Sequence, residues 1–154
     1  MPSTLNPKTI HLSPEEIRIQ KEGKAVSTIT PGQFIERVAG TVDGVRRHTT
    51  DGGVAQLSVA LENDMVGLTI DDDYLTGDRV LYCVVSNGEE VYSLLANGQN
   101  AEENDFLSVV GGNLRVAQPG DHIVAQAREA VNNSGGSSPA RIKVETLIAV
   151  APAS

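Results

Sequence analysis

From Ile29 onward the apolar residues fall in short runs separated by Gly, Asn, Asp and Pro. Residues 54–61 (VAQLSVAL), 79–85 (RVLYCVV), 90–95 (EVYSLL), 106–110, 114–116, 122–127 and 141–147 (RIKVETL) are rich in β-branched side chains. Runs of this length bounded by turn residues predict strands. In RIKVETL, Ile142, Val144 and Thr146 alternate with Arg141, Lys143, Glu145 and Leu147, which is the period of a strand buried on one face. Asn87-Gly88 predicts a tight hairpin pairing RVLYCVV with EVYSLL, because a type I′ turn needs positive φ at both central residues. Gly111-Gly112 predicts a second hairpin between FLSVV and NLRV, and VNNSGGSSPA (131–140) reads as a flexible loop joining two late strands.

Two segments carry helical spacing instead. In TPGQFIERV (30–38), Thr30 is placed to cap a helix with Pro31 in its first turn and Phe34, Ile35 and Val38 on one face; Ile123, Val124, Ala127 and Val131 share similar spacing. Helices this short are marginal without packing, so one or two at most are expected. The predicted class is mainly β, a compact antiparallel β-barrel or β-sandwich. Residues 1–28, with Pro2, Pro7 and Pro14 and little apolar periodicity, are expected to form an extended N-terminal arm. A β-rich domain over 29–148 and a C-terminal tail over 149–154 complete the expected organisation.

Composition narrows the function. The chain has 154 residues, a net charge of −8 and only five aromatic residues, Phe34, Tyr74, Tyr82, Tyr92 and Phe106, so its core must be aliphatic. The single Cys83 excludes an internal disulfide, and His11, His48 and His122 are too scattered for a zinc spacing. Neither a cofactor nor a metal is expected. No apolar run approaches the ~20 residues of a membrane span, and the first residues lack the pattern of a signal peptide. An acidic chain with no Lys/Arg run is also a poor match for nucleic acid. The charge is uneven: residues 1–50 hold seven basic against five acidic residues, and residues 51–154 hold five against fifteen. A slightly basic lead therefore precedes a strongly acidic remainder.

Three sets of residues could carry chemistry. GLTIDDDYLTGDRV (67–80) resembles the trimeric dUTPase motif, in which an aspartate, here Asp71 or Asp73, activates water and a tyrosine, here Tyr74, stacks on deoxyribose. The phosphate-binding strings of that family are missing from this sequence, so an acidic chain has no donors to offset a triphosphate. Asp71-Asp72-Asp73 supplies oxygen ligands of the kind hard cations take, but neighbouring strand residues point in opposite directions, and a solvated turn is the simpler reading. Ser108, Asp121 and His122 are a conceivable hydrolase set, although no G-x-S-x-G elbow frames a serine. Cys83 lies in an apolar run without a cationic neighbour and reads as core. No constellation is complete, and a binding or structural role is expected.

The order of strands and turns resembles the head decoration, or capsid cement, proteins of tailed bacteriophages. The pieces are Pro31-Gly32, Ala60-Leu61-Glu62-Asn63, the turn from Ile70-Asp71 to Tyr74, Gly77-Asp78, Leu95-Ala96-Asn97-Gly98, Asp105-Phe106-Leu107-Ser108, Gly111-Gly112 and Arg141-Ile142-Lys143-Val144-Glu145. They span about residues 29–147, and none is a catalytic motif. The resemblance implies a β-rich homo-oligomer, trimer before dimer, bound to the major capsid protein on the outside of the mature head. With the charge split, it makes the arm the expected anchor, with Lys8, Ile10, Arg18, Lys21, Lys24 and Pro31 as capsid-binding residues. The alternatives are a virion-surface glycan-binding module using Tyr74 or Tyr92, and the dUTPase-like enzyme.

Overall fold

A computed structural model describes residues 6–13, 19–53 and 56–150. The strands in chain order are β1 (Ile19–Ala25), β2 (Ile35–Arg37), β3 (Gly44–Arg47), β4 (Ser58–Ala60), β5 (Arg79–Val84), β6 (Glu90–Leu95), β7 (Asn100–Ala101), β8 (Phe106–Val110), β9 (Asn113–Val116), β10 (His122–Ala127), β11 (Val131–Asn132) and β12 (Ala140–Val150). One 3-10 turn at Asp64–Val66 is the sole helical element among the described residues. The mainly β expectation therefore holds.

The later strands close a barrel in the order β10-β12-β6-β9-β8, and the earlier ones make a five-stranded sheet, β2-β3-β1-β5-β4. That sheet curls until its edges meet. Phe34 bridges Val59, the Gly32 N–H donates to Ala60 O at 2.8 Å, and the Ala60 N–H donates to Gln33 O at 3.0 Å. Most contacts are antiparallel, but β1 with β3 and β6 with β9 are parallel.

Strand β5 is buried on both faces and shows how the two halves join. Leu81, Cys83 and Val85 belong to the large core shared with the barrel strands, together with Phe34, Val59, Leu95, Leu107, Leu114, Ile142 and Val144. Val80 and Tyr82, with Val84 packed beside them, turn to a second core of Ala25, Ile29, Ile35, Val45, Ala60 and Tyr74. The alternation places successive residues on opposite faces. Strand β12 keeps its expected face, with Ile142, Val144 and Thr146 buried.

Several expectations change. The hairpin at Asn87-Gly88 does not form: β5 pairs with β1 and β4, whereas β6 pairs with β12 and β9. Only Gly88 has a positive φ there, so the turn is not type I′. It passes the chain between sheets, with the Gly88 N–H donating to Thr146 O at 2.7 Å. Gly111 and Gly112 have φ of +56° and +84° and do join β8 to β9 with Val110 opposite Asn113, as a type I′ turn requires. Neither helix forms. Residues 35–37 are β2, and Ile123, Val124 and Ala127 lie on β10. The Gln33 side chain instead accepts the Thr30 N–H at 2.9 Å in a tight turn.

The separate arm also gives way where it is described. Residues 19–25 form β1, an inner strand of the sheet. Residues 10–12 run along β6, with His11 bridged to Val91, the Tyr92 N–H donating to Ile10 O at 2.7 Å and the Leu12 N–H to Glu90 O at 2.9 Å. They extend the barrel along the stretch of β6 that β9, which meets it only at Leu95, leaves open. The barrel's last strand runs on to Val150, past the expected boundary at 148.

Candidate functional site

The expected anchor residues separate into two kinds. Ile10 is completely buried, and its N–H donates to Glu62 Oε2 at 3.0 Å. Pro31 is buried, and its carbonyl accepts Arg141 Nη1 at 2.6 Å. Both are structural, so neither offers a docking contact. Arg18 lies outside the described residues. Lys8, Lys21 and Lys24 are exposed, and the last two share β1.

Around β1 the backbone leaves a gap. Residues 19–24 pair with 84–79 of β5, but β3 meets β1 only at Lys24 and Ala25. The Lys24 N–H donates to Asp43 O at 2.8 Å and the Val26 N–H to Val45 O at 3.0 Å, so even-numbered residues direct their backbone groups towards β3. Beyond Lys24 the loop before β3 turns back on itself, with the Gly44 N–H donating to Thr41 O at 3.1 Å. The slot this leaves has a volume of about 480 Å³ and is lined by Lys21, Glu22, Arg37, Asp43, Val45 and Tyr82, among others. A second hollow of about 340 Å³ is lined by Glu22, Lys24, Val42, Asp43, Gly77 and Arg79.

The charge here opposes that of the whole chain. Lys21, Lys24, Arg37 and Arg79 face Glu22 and Asp43 across the two hollows, a local excess of two positive charges on a chain of −8. Glu22 is already engaged by Arg79 at 2.7 Å, and Glu36 by Arg46 at 2.8 Å. Burial would raise the Glu36 carboxyl, but Arg46, Thr49 and His48 outweigh it and hold the pKa below the ordinary value. Lys21, Lys24 and Arg37 remain to face solvent. The sequence reading missed Arg37 and Arg79. Arg37 falls in the segment with helical spacing and Arg79 lies in the acidic half, yet the basic excess of residues 1–50 contains the signal for Arg37.

A larger cleft of about 800 Å³ lies where residues 6–9 meet the loop from Glu62 to Asp71, Tyr92 and Arg141. Arg141 is a strut inside it. Besides Pro31 O, it donates to the carbonyl of Ile70 and, at 3.5 Å, to that of Tyr92, while its guanidinium stands 5.8 Å from the Tyr92 ring centroid. Burial lowers its pKa, and nearby Asp71, Tyr92, Asp73 and Glu62 oppose that shift. Gly32 makes the close approach possible. It has φ +96°, and a Cβ there would lie 2.5 Å from Arg141 Nη1 and 2.8 Å from Tyr92 O.

The catalytic alternatives find different geometry. Tyr74 is buried and donates to Leu61 O at 2.6 Å. Burial pushes its pKa up to about 12, and the ring presents no platform for a sugar. Tyr92 is likewise buried. Asp71, Asp72 and Asp73 are exposed, and Asp72 accepts from the backbone and hydroxyl of Thr69 at 2.7 and 3.0 Å, which closes the turn. The Ser108 hydroxyl donates to Asp121 Oδ2 at 2.6 Å. Arg115 and the Gln118 N–H also serve that carboxylate, so the pair anchors a loop.

No family model matches the chain, and no curated protein matches it in sequence. Among solved structures, the fold is similar to the crystal structure of the head fiber gp8.5 N base of bacteriophage phi29, at a TM-score of 0.59. The superposition covers 85% of this chain and 95% of that one, at 10% sequence identity. At that identity the likeness is one of fold.

Proposed function

We propose that the chain is a structural protein of a phage head that binds the outer surface of the mature capsid as a homo-oligomer, trimer before dimer, and stabilises the lattice. The observation that carries this reading is the fold shared with a head-fiber base across most of both chains. The basic island on β1 supplies a chemically distinct surface for the contact. A protein with higher affinity for the expanded lattice than for its precursor shifts the population towards the expanded shell without any reaction. An oligomer touching several capsid subunits gains avidity from effective concentration, so each contact can be modest.

The test is titration of the purified chain onto expanded and unexpanded empty heads, with native mass measurement of the free protein. Saturable binding to expanded heads, weak binding to unexpanded heads, and loss of binding in K21E/K24E/R37E are expected. Equal binding to both head forms removes the stabilising role, and no binding to either removes the capsid as partner.

A further inference from the structure

Strand β1 is an inner strand by topology but has an open edge over part of its length. Because Lys24 and Val26 donate towards β3, the odd residues of β1 serve β5, and the N–H and C=O of Glu22 point into the slot. Continuing the parallel ladder by one step would require the Glu22 N–H to reach Thr41 O and the Asp43 N–H to reach Glu22 O. Neither bond forms, and Thr41 O is taken by the Gly44 N–H. An unpaired strand edge is a template for another extended chain.

We propose that the slot beside β1 accepts an extended acidic segment of the capsid partner as an added strand, hydrogen-bonded to the Glu22 backbone. This rests on the capsid-binding reading above. Main-chain bonds would supply the geometry, and side-chain hollows on the two faces would supply selectivity. The slot opens to one face of β1 past Lys21, Arg37, Val45 and Tyr82, and the second hollow flanks Lys24, Val42 and Arg79. A segment alternating over these faces meets a basic side chain on each, with Val45 and Tyr82 under one face and exposed Val42 beside the other. The Glu22–Arg79 pair already neutralises one charge of each sign. With that pair set aside, Lys21, Lys24 and Arg37 stand against Asp43 alone across the two hollows, and this remaining excess of positive charge favours a segment carrying carboxylates.

E22P separates this mode from charge attraction. Proline removes the outward N–H while leaving the β5 ladder intact, and an edge position with its N–H facing out is where a strand tolerates it. The full-length protein and the E22P and K21E/K24E/R37E variants are titrated onto expanded empty heads. Hydrogen exchange at the Glu22 amide is followed in the free and head-bound wild type, so the inference does not depend on E22P folding. The expected results are at least tenfold weaker binding by E22P and at least tenfold slower Glu22 exchange in the bound state. If E22P binds like the wild type and the amide stays unprotected while the charge variant fails, strand addition is wrong and the capsid-binding reading stands. If the wild type does not bind heads, both fall. A Glu22 amide protected in the free protein in proportion to concentration assigns the slot to a second copy and overturns an acidic capsid segment as its occupant.

Discussion

Replacing Arg141 tests whether one side chain ties the two halves of the fold together. Its guanidinium serves the carbonyls of Pro31, in the turn before β2, and Ile70, in the loop before β5, from its place on β12. Pro31 and Ile70 are both buried, so R141A strands two acceptors with little access to water. A hydrogen bond from a charged donor contributes roughly 1.5–3 kcal/mol, and the loss is expected to be roughly 3–6 kcal/mol for the pair. At about 2–4 °C per kcal/mol for a chain of this size, Tm falls by roughly 6–24 °C. Urea denaturation should show a lower midpoint with an unchanged slope, which marks a change in stability rather than in the denatured state. R141K should recover little, because an ammonium lacks the planar fork that reaches two directions at once. D71N should cost less than about 0.5 kcal/mol, since Asp71 is 82% exposed and 3.8 Å from the guanidinium. An R141A loss below about 1 kcal/mol, or an R141K protein as stable as the wild type, would refute the strut.

Three further outcomes can be checked by the same melts. Burial would raise the Asp121 carboxyl, but Ser108, Gln118 and Arg115 outweigh it and leave its pKa below the ordinary value. A depressed carboxylate contributes stability above the unfolded pKa of about 3.9 and loses it as the pH falls through the folded value. The stability gap between wild type and D121N should therefore be flat above about pH 5 and shrink below about pH 4; a gap that persists at low pH contradicts this. Y74F removes a buried hydroxyl that donates to Leu61 O and should cost about 1–2 kcal/mol by urea melt. G23A places a Cβ 2.9 Å from Val45 Cγ1 and 3.0 Å from Asp43 O, so it should cost about 1–3 kcal/mol as an overpacked site, with faster amide exchange at Lys24 and Val26 where β3 meets β1.

The sequence made strands legible wherever a strand had an apolar face. EVYSLL, FLSVV and the run from His122 to Ala127 form β6, β8 and β10 at their expected bounds. Their partners were less legible, because pairing is set by edges far away in sequence. Asn87-Gly88 signals a turn, but it cannot signal that both edges of β5 are already taken by β1 and β4. The unbroken apolar run VLYCVV held a hint, since a strand buried on both faces fits an inner position better than an exposed hairpin. Strand β1 was the hardest to read. IQKEGKA is exposed at five of its seven positions, so it is held by its backbone ladder and by Gly23 and Ala25 rather than by an apolar pattern. That also explains the candidate surface: Lys21 and Lys24 were legible as charges, whereas their placement beside Arg37 required the β2–β3 hairpin to be known.

The same result changes what a truncation can reveal. If residues 1–27 were a detachable arm, deleting them would leave a folded domain that no longer binds. In the structure that deletion removes all six β1 positions paired with β5, the completely buried Ile10, and the His11–Glu89 contact at 2.9 Å. Burying an Ile side chain alone stabilises by roughly 1.5–3 kcal/mol, and losing β1 also exposes an edge of β5 and opens the second core beside Ala25. Those losses together compare with the 5–15 kcal/mol that hold an ordinary domain folded. The truncated chain should therefore show no cooperative thermal transition and should be cut rapidly by protease, whereas K21E/K24E/R37E should melt within a few degrees of the wild type. A truncated chain that melts cooperatively would return residues 1–27 to the status of an arm and remove β1 from the framework. If it does unfold, its failure to bind heads says nothing about the contact, and the charge variant becomes the informative experiment.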